Sequence, residues 1–77
     1  MDIIRQVDVF DNQTENIVRE VLIDKFDFEI FKKRFETKNE DPLMYNPYEI
    51  TSSTIDLFPE IKFDFGKYSY FIACYQV

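Results

Sequence analysis

The sequence contains no histidine. That removes the commonest general base and the commonest metal ligand, and with them any Ser-His-Asp or Cys-His nucleophile system within the chain. With a single glycine there is no dinucleotide fingerprint and no phosphate-cradling loop, each of which needs several. The one cysteine, Cys74, cannot close an internal disulfide and cannot build a zinc site, which suits a reducing compartment. It lies in an apolar run, where a thiol is inert. No D-x-[DN]-x-[DN]-G calcium loop occurs, and the nearest stretch, DVFDNQTE, reads as a hairpin turn. No stretch approaches the roughly 18 apolar residues of a membrane span. The N-terminal MDIIRQVDVFD carries acidic residues where a secretory leader carries basic ones. These absences lead us to expect a cytoplasmic protein that is not an enzyme and holds no cofactor or metal. A chain of 77 residues also has little material for both a core and a walled pocket of about 300 Å³ or more.

What is present is acid and aromatic. Fifteen acidic against nine basic side chains leave a net charge of −6. Phosphate binding runs on lysine and arginine, so direct nucleic-acid binding is not expected. An acidic surface favours basic partners and speeds encounter with them. Nine phenylalanines and five tyrosines enlarge a core that a single small domain, residues 1–77, otherwise struggles to fill.

Periodicity divides the chain into elements. In IIRQVDVF, residues 3–10, Ile3, Val7 and Val9 share one face with Arg5, while Ile4 and Phe10 share the other with Gln6 and Asp8. DNQTEN supplies turn residues, and IVREVLID, 17–24, alternates again, so the two runs form an antiparallel hairpin. Each strand carries one arginine, Arg5 or Arg19, on its more apolar face, which implies that this face is only partly covered. Phe28, Phe31 and Phe35 then fall at i, i+3 and i+7, predicting a helix over 25–36 with its Phe stripe in the core. Asp24 is its expected N-cap, with Ile23 and Phe28 as a hydrophobic staple. Lys32, Lys33 and Arg34 close it, where cations complement the helix C-terminus.

The segment DPLMYNPYEI, held between Pro42 and Pro47, reads as an ordered loop rich in tyrosine and acid. TSSTIDLFPE is ambiguous: Ser53 and Asp56 suit a short helix near 54–58, whereas its Ser, Thr and Ile content suits a strand. IKFDF alternates cleanly, and Gly66-Lys67 suits a type II′ connection to a return strand over YSYFIACYQV. On that strand we place Phe71, Ala73 and Val77 in the core. Tyr68 and Tyr70 fall on the opposite face, and whether that face is exposed or also buried stays open. The expected architecture is α+β: two hairpins, about four antiparallel strands, packed on one main helix with a possible short second one.

Three stretches, VDVFDNQTENIVREVLID, DPLMYNPYEI and FDFGKYSYFIACYQ, give the chain a pattern that resembles small bacterial immunity proteins. The likeness is to those of contact-dependent growth inhibition and related polymorphic toxin systems. The resemblance implies a cytoplasmic inhibitor that binds a cognate toxin domain, a basic nuclease in many such systems, by charge-complementary contact. The expected partner-binding set is Asp11, Glu15, Glu40, Asp41, Tyr45, Tyr48, Glu49, Tyr68 and Tyr70. The alternatives are an acidic interaction module or adaptor subunit, and a nucleic-acid mimic. A monomer is expected, or a weak homodimer paired through a strand edge.

Overall fold

Asp27 decides where the helix begins. Its backbone is extended (φ −91°, ψ 102°) and its carboxylate accepts from the Ile30 amide at 3.2 Å. The helix α1 therefore spans Phe28–Arg34. It starts one turn later than an Asp24 cap would allow. The staple shifts with the cap: Phe26, just before Asp27, packs on Phe31 with ring centroids 4.7 Å apart. The C-terminus closes as a Schellman motif, with the Thr37 amide donating to the Lys32 carbonyl and the Glu36 amide to that of Lys33. Glu36 holds the left-handed position at φ 51°.

In this computed structural model, residues 3–76 are described. Four strands form one antiparallel sheet in the order β2-β1-β4-β3. They are β1 (Ile3–Asp11), β2 (Ile17–Leu22), β3 (Tyr48–Glu49) and β4 (Tyr68–Gln76). The β1–β2 hairpin forms as its pattern requires. Asp11 organises the turn, its carboxylate accepting from the amides of Gln13 and Thr14 at 2.8 and 3.1 Å. A register shift after Val9 leaves Phe10 opposite Ile17. A single 3-10 turn at Ile55–Leu57 settles the ambiguous segment as helical. Together these elements make a small α+β domain. No helix among the described residues is long and apolar enough to cross a membrane.

The second hairpin does not form. Residues 61–64 run as irregular chain, and Asp64 accepts from the amides of Lys67 and Tyr68 in a turn. The reason is competition for edges. One edge of β4 pairs with β1 along its whole length, and the other meets Tyr48, Glu49 and the Ile50 amide, which donates to the Tyr70 carbonyl at 2.8 Å. At Tyr70, where a strand over 61–65 would have to pair, that edge is already taken. Ile61 and Phe63 still pack on the core, delivered by a loop.

One face of the sheet carries the core. Val7, Val9, Tyr70 and Ile72 meet Phe31, Met44, Ile50, Phe58 and Ile61. This inverts the expected faces of β4. Tyr70 is buried because its hydroxyl finds a partner, accepting from the Asp64 amide at 2.8 Å, while the ring packs on Phe63 and Phe65. Phe71 and Ala73 stand on the other face, away from the helix; Ala73 is buried there as expected, and Phe71 is half-buried. The expectation for Val77 lies outside the described residues.

Arg5, on the helix side of β1, is covered by the loop. Its guanidinium donates to the carbonyls of Met44 and Leu43 and lies 4.4 Å from the Phe26 ring centroid. The arginine on an apolar face is thus a clasp that fixes the 38–47 segment against the sheet.

Candidate functional site

Among the described residues no helix and no second sheet covers the face of the sheet opposite α1. Strand register gives its membership, because paired residues share a face. On β1 these are Ile4, Gln6, Asp8 and Phe10, paired with Tyr75, Ala73, Phe71 and Ser69 of β4. Gln6 and Asp8 face Leu22 and Glu20 of β2, and Phe71 faces Glu49 of β3. None of these residues is a lysine or arginine. The two strand cations, Arg5 and Arg19, pair with Cys74 and Val9 and so point to the helix side. Charge is thereby segregated: the open face holds only acids.

Two neighbouring hollows mark this face. One, of about 380 Å³, is lined by Asp8, Phe10, Phe71, Ala73 and Tyr75 with Tyr45 and Pro47 on the rim. The next, of about 340 Å³, runs from Phe10 and Phe71 to Asp11, Asn12 and Glu15 in the hairpin turn. Phe10 and Phe71 stand edge to face, centroids 5.7 Å apart, as the ridge between them. The small side chain of Ala73 leaves the first hollow open.

A buried polar chain underlies the apolar walls. Gln6 and Asp8 are 6% and 3% exposed. The Gln6 amide nitrogen donates to Asp8 Oδ1 at 2.6 Å and to Glu20 Oε2 at 2.5 Å. The Tyr75 hydroxyl donates to Asp8 Oδ2. That bond, burial, and the negative charges of Asp8 and Glu20 push the Tyr75 phenol up to about 12. The phenol therefore remains a donor at any physiological pH.

The expected contact residues divide into two groups. Asp11 and Glu15 line the second hollow, Tyr45 rims the first, and exposed Glu49 shares the face with Phe71. Glu40 is exposed in the loop but lines neither hollow. The others are structural. Asp41, 5% exposed, accepts from the amides of Tyr45 and Asn46 at 2.8 and 3.0 Å and from the Tyr48 hydroxyl at 2.6 Å. Burial disfavours its charge, but the Tyr48 hydroxyl, the two amides and the Arg5 charge outweigh that and hold its carboxyl below the usual range. Burial and the same Asp41 contact push Tyr48 up to about 12. Tyr68 is half-buried against the core and Tyr70 is within it. Asp41, expected as a contact residue, is thus buried in the loop, and the open question of the Tyr70 face is answered by its burial.

Sequence reasoning missed Asp8, Gln6, Phe10, Phe71 and Tyr75. A signal was present in β1, where the Gln6/Asp8 face also carries Ile4 and Phe10. A strand face that mixes aromatics with acid suits a surface that is dry at its centre and wet at its edges.

A family model described as a domain of unknown function (DUF7683) matches residues 4–73, and the chain belongs to that family. No curated protein and no solved structure matches the chain.

Proposed function

We propose that this DUF7683 domain is a small inhibitor that binds a basic protein, a toxin domain, on the open face of its sheet. The carrying observation is the composition of that face: the aromatics Phe10, Phe71 and Tyr75, acids around them, and both strand arginines turned to the other side. Aromatic anchors inside a polar rim are the usual make-up of a protein-binding surface. The net charge of −6 extends the same sign over the molecule and steers a basic partner toward it. The class of partner comes from the resemblance of the sequence pattern to bacterial immunity proteins. Binding over a toxin's cationic substrate channel would occupy the channel with carboxylates in place of phosphates.

The test is co-expression. The protein should rescue growth of cells that produce the cognate toxin domain and should co-purify with it at equal stoichiometry. Rescue should fail when Phe71 is replaced by arginine, which puts a cation on the binding face. Co-purification with a non-toxic partner would transfer the same face to an adaptor role. Binding that nucleic acid competes away across unrelated basic proteins would mark a nucleic-acid mimic.

A further inference from the structure

We propose that the hollow above Asp8 is an anchor pocket for one arginine side chain of the partner; this rests on the docking role of the open face. Asp8 is 3% exposed yet lines the hollow. Each of its oxygens accepts one hydrogen bond, from Gln6 or from Tyr75. A carboxylate offers about four acceptor positions, so about two remain. Among the described residues no cation is paired with it. Both protons of the Gln6 amide are spent, one on Asp8 and one on Glu20. Gln6 thus tethers two carboxylates that repel each other, and a cation entering the hollow would meet Asp8, the one of the two that lines it.

The walls select arginine. A guanidinium is planar and stacks on aromatic faces while presenting its donors in a fork that matches a carboxylate. Phe10 and Phe71 supply the aromatic surface, Tyr45 adds a ring whose other neighbour is the Arg5 guanidinium at 5.8 Å, and Asp8 in the lining supplies the acceptor. An ammonium satisfies the charge but gains less from the rings and cannot present the fork. Ala73, buried and opposite Gln6, is the residue whose size keeps the hollow open.

The experiment is an amide-resolved NMR titration of the full chain with the blocked tripeptide acetyl-Gly-Arg-Gly-amide, and with its lysine and citrulline counterparts. Arginine should give saturable shifts confined to residues 8–10 and 71–75, tighter than lysine, with none from citrulline. Asp8→Asn keeps the shape and removes the charge, and should weaken binding about tenfold or more. Ala73→Leu keeps the charge and fills the hollow, and should abolish the localised shifts even if Asp8→Asn fails to fold. Shifts spread over all acidic positions, or unchanged in both variants, would overturn the pocket. A partner lost on Phe71→Arg but bound equally by Asp8→Asn and Ala73→Leu would leave the docking face standing without its anchor. A partner insensitive to all three variants would remove the docking face itself.

Discussion

The Tyr75 hydroxyl donates to the Asp8 carboxylate across 67 residues of sequence, joining the last strand to the first on the open side of the sheet. Folding favours the neutral phenol there, and the same holds for Tyr48 beside Asp41. Both tyrosines titrate at about 12 in the folded protein against 10.0 when free of these contacts. Their contribution to stability is complete below the unfolded value and is lost as pH rises through the folded one. Urea midpoints should therefore fall between about pH 10 and pH 12. Tyr75→Phe should flatten that fall and cost about 1 kcal/mol at neutral pH. An unchanged alkaline slope would place its titration elsewhere.

Asp41 gives the opposite pH dependence. Its folded carboxyl lies below 3.8, so its stabilising effect is present above that value and is lost as pH falls through the folded one. Asp41→Asn keeps one acceptor oxygen and turns the other into a donor, so either the Tyr45 amide or the Asn46 amide and Tyr48 hydroxyl lose their partner; it should cost about 1–3 kcal/mol at neutral pH while flattening the acid limb. Chemical denaturation at neutral and acidic pH checks both. Because Asp41 holds Tyr45 and Asn46 by their amides, loss of this carboxylate should also loosen the rim of the first hollow.

Glu36 occupies the left-handed C′ position of α1, where a side chain is strained and glycine is not. Glu36→Gly should raise stability by about 0.5–1 kcal/mol. Thermal denaturation checks it. A loss would mean that the Glu36 side chain contributes more than its backbone conformation costs.

Much of the fold was legible in the sequence because its cues are local. The period-two runs around DNQTEN made the first hairpin, and the Phe28, Phe31, Phe35 spacing made the helix. The cap lies at Asp27, one turn beyond Asp24, where Phe26 just before it reaches Phe31. Periodicity says which residues share a face but not which face is covered. On β4 the covering elements come from residues 31, 44, 50 and 58, distant in sequence, so the Tyr70 and Phe71 faces were exchanged. The role of Asp41 was hidden for the same reason. An acid in a polar loop looks exposed until its own next turn folds back over it.

One capture experiment tests most directly whether the open face of the sheet docks a basic protein. Tagged protein would be recovered from its native host in three forms: wild type, Phe71→Arg, and Lys33→Ala as a control on the helix side. Wild type and control should each carry one basic protein at equal stoichiometry, and Phe71→Arg should carry none while melting as a folded domain. The same partner on all three, or on none, would contradict docking of a basic protein at the open face of the sheet.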